Sequence, residues 1–150
     1  MILVDADACP VKDEVTRVAL RHKCPVRFIA NQGLRLPDHP LITMQVVDAG
    51  FDAADDAIAE AAGPHILVVT ADILLADRCL KSGSAVIDHK GRAFSQASIG
   101  AQIATRAIMA DLRAGLDGQG IGGQKPFSQK DRSQFLNALE NALRKLPSAH

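Results

Sequence analysis

The chain has 150 residues, 47% hydrophobic and only 3% aromatic, with no Trp and no Tyr; 17 basic residues balance 17 acidic ones at a formal net charge of +0. That length suits one domain with an aliphatic core. The composition argues against aromatic base-stacking platforms and a broad basic footprint for nucleic acid, leaving local charge clusters for any such role.

In chain order, the pattern alternates strand and helix. Residues 1–5 read as a short buried strand ending on Asp5. Residues 11–23 read as a helix: Val11, Val15, Val18, Ala19 and His22 share a face, and Asp13 and Glu14 suit its positive N-terminal end. Val26 to Ala30 is a second strand, followed by a loop with Gly33, Pro37 and Pro40. Ile42 to Val47 is a third strand. Residues 52–62 form a helix stopped by Gly63-Pro64, and His65 to Thr70 a fourth strand. A helix over 74–82, a fifth strand over 85–88 and a helix over 96–114 follow. Residues 115–126 are glycine-rich and read as a loop. A last helix spans about 128–146, with Ser128 as N-cap, Asp131 three residues on, and Leu136, Leu139 and Leu143 to pack on the core or on a second copy in a homodimer. The alternation predicts a single α/β domain over 1–150, with a mostly parallel sheet and helices on both faces.

The acids fall in a pattern. Asp5 and Asp7 follow the first strand, Asp48 and Asp52 the third, and Asp72 the fourth. A parallel sheet gathers its strand C-termini on one rim, where α/β proteins bind ligands. Residues two apart in an extended chain point the same way, so Asp5 and Asp7 converge if the strand persists that far. Crowded carboxylates repel unless a proton or cation sits between them, and hard oxygen ligands suit Mg²⁺ or Mn²⁺. The competing reading is that acids after strands simply cap the next helices. On the helix over 52–62, Ala54, Ala57, Ile58 and Ala61 form the apolar side; Asp56 and Glu60 face solvent, and Asp55 sits at the core edge.

Other groups carry weaker signals. Cys9, Cys24 and Cys79 are odd in number and form no C-x-x-C, which argues against a disulfide framework or a zinc ribbon. Cys9 lacks a nearby base and reads as a small structural cysteine. His65 reads as a surface or edge residue. Arg92, Arg106, Arg113, Lys125, Lys130 and Arg132 lie around the glycine-rich loop, whose spacing matches no phosphate-loop fingerprint. Neither a signal peptide nor a membrane-spanning run is evident, so a cytoplasmic protein is the expectation.

Several stretches together resemble one family. They are Asp5-Ala6-Asp7-Ala8-Cys9-Pro10, Ala30-Asn31-Gln32 with Arg35, Gly50-Phe51-Asp52-Ala53-Ala54-Asp55, Thr70-Ala71-Asp72-Ile73, and Gly122-Gly123 through Pro126-Phe127 to Asp131-Arg132. The chain is similar along nearly its whole length to the bacterial YaiI/YqxD family of uncharacterised proteins. Leu74 and Gln124 depart from it, each where Pro is usual. The resemblance implies a PIN-like fold, and many PIN domains are metal-dependent ribonucleases that use clustered acids. By that resemblance Asp5, Asp55 (or Asp52) and Asp72 correspond to the metal-site acids, and Asp7 belongs to the family's opening motif.

The leading expectation is a Mg²⁺- or Mn²⁺-dependent phosphodiesterase acting on RNA. Asp5, Asp7, Asp55 and Asp72 are its candidate catalytic residues. Asp5, Asp52, Asp55 and Asp72 are the candidate metal ligands, and Asn31, Arg35, Arg106 and Arg132 the candidate nucleic-acid contacts. A second expectation is a non-catalytic PIN-like module binding RNA or protein. A third is a haloacid-dehalogenase-type phosphatase, whose opening Ile2-Leu3-Val4-Asp5-Ala6-Asp7 resembles; Cys9 and the early Asp55-Asp56 pair fit that class poorly.

Overall fold

The computed structural model describes residues 1–7, 9–48, 50, 52–115 and 127–146, with side chains except at 110–115. The glycine-rich loop expected from the sequence lies, from 116 on, outside the described residues. The elements run β1 (Ile2–Asp5), α1 (Lys12–Arg21), β2 (Val26–Ala30), β3 (Ile42–Val46), α2 (Ala53–Ala61), β4 (Leu67–Val69), α3 (Ile73–Lys81), β5 (Ala85–Ile87), β6 (Ala93–Phe94), α4 (Gln96–Gly115) and α5 (Gln129–Lys145). The strands form one six-stranded sheet in the order β3-β2-β1-β4-β5-β6. The first five are mutually parallel; β6 pairs antiparallel with β5. The order reverses beside β1, whose C-terminus therefore opens on the crevice where such sheets bind ligands.

Alternation along each strand splits the core in two. Ile2, Val4, Val26, Phe28, Leu67 and Val69 point to one face, where Val15, Val18 and Ala19 of α1 and Phe135 and Leu139 of α5 cover them. Leu3, Ile29, Val68 and Val86 point to the other, under Ile58 of α2, Leu75 and Cys79 of α3, and Ile99 of α4. Helices thus lie on both faces, as the sequence pattern implied. Leu139 is buried and Leu136 and Leu143 pack against the first core, so the leucines of α5 serve the fold itself. The expected Ser128 cap forms with its reciprocal bond: Ser128 Oγ accepts from Asp131 N–H at 3.1 Å, and Asp131 Oδ2 from Ser128 N–H at 3.0 Å.

Two features differ from the sequence reading. β6 was not expected; it is two residues long and depends on a tight turn. In that turn Asp88 Oδ1 accepts from the Lys90 and Arg92 N–H groups at 2.9 and 2.8 Å, and Gly91 adopts φ +83°. A helical periodicity search cannot detect so short a pair. His22, expected on the apolar face of α1, is exposed past the helix end and bonds Glu140 at 2.7 Å, since the helix closes at Arg21 before His22 can turn inward. Among the described residues, no helix is long and apolar enough to cross a membrane.

Candidate functional site

The acids gather where the sheet topology places them. β1 ends at Asp5, and the chain crosses to Asp7 without continuing as strand. Asp7 is held from the neighbouring β2: the Asn31 N–H donates to both its carboxylate oxygens, at 3.2 Å each. From β4, the Thr70 hydroxyl donates to Asp5 Oδ2 at 2.9 Å and accepts from the Asp72 N–H at 3.0 Å. Thr70 is fully buried, and this relay ties β1 to the start of α3. From sequence, Thr70 reads as the end of the fourth strand and the start of a turn motif, with no role at the site. The available signal was a hydroxyl ending a strongly apolar strand.

Asp5, Asp7, Asn31, Gly50, Asp52 and Asp55 line one open cleft of about 420 Å³. Asp52 holds the N-cap position of α2 in the left-handed region at φ 65°, yet its side chain makes no capping hydrogen bond. A non-glycine residue held there costs about 1–3 kcal/mol, and such positions concentrate at functional sites. Asp55 follows in the first turn of α2, half-buried, while Asp56 is exposed and paired with Arg78 at 2.9 Å.

Electrostatics separate Asp5 from the rest. Burial pushes its carboxyl up from 3.8 to about 6; the Thr70 hydrogen bond opposes this, and the charges of Asp55, Asp72 and Asp7 add to it. Burial likewise raises Asp55, with Asp72 and Asp52 adding and Arg78 opposing. Carboxyls whose pKa values rise together share a field that a cation would relieve. The donor set, all carboxylate oxygens beside a hydroxyl, fits a hard divalent cation. It is not closed around a point: among the described residues, no group of three or more His, Cys, Asp or Glu is arranged to hold a metal ion. Asp72 is engaged in part, since its Oδ1 caps α3 by accepting from Leu74 and Leu75 N–H at 2.9 and 3.2 Å. The capping and site readings both apply to this residue.

The remaining candidates disperse. Asp48 is exposed and does not line the cleft. Arg35 is exposed on the loop after β2. Arg132 sits on α5, where it donates to the Pro10 carbonyl at 2.9 Å and to Glu14 at 3.0 Å and stacks over the Phe127 ring at 5.0 Å; the structure places it as a tether between α5 and α1. Arg106 lines a separate cleft against α4. Cys9 is buried, and burial pushes its thiol up to about 11, which keeps it protonated and inert at neutral pH.

The model of the uncharacterized YaiI/YqxD family matches residues 3–145. The chain belongs to that family. A UPF0178 protein of Jannaschia sp. (strain CCS1) is 68% identical over 97% of this chain and 94% of its own length. One from Sphingopyxis alaskensis is 63% identical over 95% and 92%, and one from Nitrobacter winogradskyi 51% over 99% and 93%. No solved structure matches the chain. The YaiI/YqxD match runs from β1 through α5, so it takes in the whole acidic cleft.

Proposed function

We propose that the acidic cleft binds Mg²⁺ or Mn²⁺ and hydrolyses phosphodiester bonds in RNA. The observation that carries this reading is the gathering of acids around Asp5, a carboxyl raised first by its burial and then by the charges of Asp55, Asp72 and Asp7. Its carboxyl, pushed up to about 6 at the tip of the central strand, is surrounded by Asp7, Asp55 and Asp72 with no cation of the chain's own beside it among the causes of its shift. Asp5, Asp52 and Asp55 would hold the ion, with Asp72 contributing from the α3 cap. A bound cation acidifies water and stabilises charge at phosphorus. The chain's residues do the positioning. Thr70 fixes one oxygen of Asp5, and the Asn31 N–H fixes both oxygens of Asp7, which leaves Asp7 to orient rather than to ligate. The resemblance of Asp5, Asp55 (or Asp52) and Asp72 to the metal-site acids of PIN domains supports the same assignment.

One observation favours a second reading, an RNA- or protein-binding module without turnover: Asp7 and Asp72 both serve backbone N–H groups, and the acids do not form a closed ligand group among the described residues. Calorimetric titration of Mn²⁺ into the wild type and into Asp5→Asn, followed by an RNA cleavage screen, separates the two. Micromolar binding lost in the variant, with Mn²⁺-dependent cleavage lost alongside it, is expected. A wild type that binds no Mn²⁺, alone or with RNA present, would leave the module as the reading.

A further inference from the structure

We propose that a second cleft, opening beside the Asp72 turn, seats one nucleotide unit of the substrate. The proposal rests on the phosphodiesterase reading, for which it supplies the neighbouring subsite. The cleft is about 740 Å³, within the range of about 300–1,000 Å³ usual for small-ligand pockets. Its lining includes Ala71 and Ile73, the residues on either side of Asp72, whose charge also acts on Asp5 and Asp55. The Asp72 turn thus borders this cleft, and its charge reaches the acids of the other, although the two clefts share no lining residue.

The lining divides by chemistry. Gln102, Arg106 and Met109 stand at i, i+4 and i+7 on one face of α4. Phe94 of β6 and Ile73 face them, giving an aromatic ring and an apolar wall against which a base can stack. Gln102 Oε1 is shielded from solvent and has no hydrogen-bond partner among the described residues. A side-chain amide carries both donor and acceptor, so it can pair with the polar edge of a base. Arg92 and Arg106 are exposed, and neither guanidinium forms an ion pair among the described residues. Asp88 also lines the cleft, but the Lys90 and Arg92 N–H groups already bond one of its oxygens. Two arginines against one aspartate leave the cleft net positive, beside a cleft that is strongly negative. A base with its phosphate matches this lining, with the ring on Phe94 and the phosphate on the arginines.

The test is titration of adenosine 5′-monophosphate in EDTA, which keeps it independent of any cation. Saturable binding to the wild type at submillimolar concentration is expected. It should weaken by about tenfold or more in Arg92→Ala/Arg106→Ala and remain unchanged in Asp5→Asn. Arg106→Glu, at an exposed helix position, should give the same loss if the double variant folds poorly. Adenosine alone and inorganic phosphate alone should each bind more weakly than the nucleotide. The proposal is overturned by any of three results: no saturable binding at millimolar nucleotide, binding indifferent to the arginine variants, or inorganic phosphate binding as tightly as the nucleotide. A failure here with Mn²⁺ binding intact removes the subsite alone; nucleotide binding without Mn²⁺ binding removes the hydrolytic reading alone.

Discussion

Asp5 holds its proton to about pH 6 in the folded chain, against an ordinary value of 3.8. Between those two values the native state binds more protons than the unfolded state, so stability falls as pH rises through the window. Two pH units correspond to roughly 3 kcal/mol at most, an upper bound for a side chain that is still partly solvated. Asp5→Asn removes the charge while its amide oxygen still accepts from Thr70. The variant is expected to be about 1–3 kcal/mol more stable than the wild type at pH 8 and nearly equal to it at pH 4. Urea melts at both values check this, and a variant less stable at pH 8 would contradict the assignment. The same titration makes Mn²⁺ binding strengthen as pH rises through 6, because the ligand must lose its proton. Much of this residue chemistry was legible in the sequence. A short apolar run stopping on Asp5-Ala6-Asp7 requires the acids to emerge at a strand tip. The Thr70 relay was not legible, because it joins residues 65 positions apart whose contact depends on the β1–β4 register.

At the scale of elements, the β5–β6 turn shows how a short segment is dictated by what packs on it. A Cβ at Gly91 would lie 2.8 Å from both the Gln134 carbonyl oxygen and the Ala138 Cβ of α5, at a φ of +83° that side chains rarely adopt. Gly91→Ala is expected to destabilise by about 2 kcal/mol or more. Gly100→Ala makes the contrast: nothing lies within 4 Å of its added Cβ, and it is in α4, so a gain of up to about 1 kcal/mol is expected. Thermal melts of the two variants moving in the same direction would contradict this account. The long elements were readable because their periodicity repeats over several turns. β6 was not, because two residues carry no period and its cause is α5, about forty positions further along the chain. The partner of Arg132 was illegible for a related reason: Glu14 lies 118 positions earlier in the chain, and only the packing of α5 on α1 brings the two together.

For the molecule as a whole, one sheet divides two cores, and each core draws on distant parts of the chain. The face under α1 is completed by Phe135 and Leu139, both fully buried. Leu139→Ala is expected to cost about 2–5 kcal/mol, a large part of the stability of a domain this size. Because the strands are shared, the helices on the two faces, α5 and α3, should lose amide-exchange protection together. Protection surviving in α3 alone would mean that the faces unfold separately. The late position of α5 has a further consequence during synthesis. β2 ends at Ala30 and α5 begins at Gln129, so at about 5–20 residues per second the ribosome needs roughly 5–20 s to deliver the helix that covers the first face. Throughout that interval Ile2, Val4 and Phe28 have only α1 to cover them, and the part of that apolar face that awaits Phe135 and Leu139 stays open on the nascent chain.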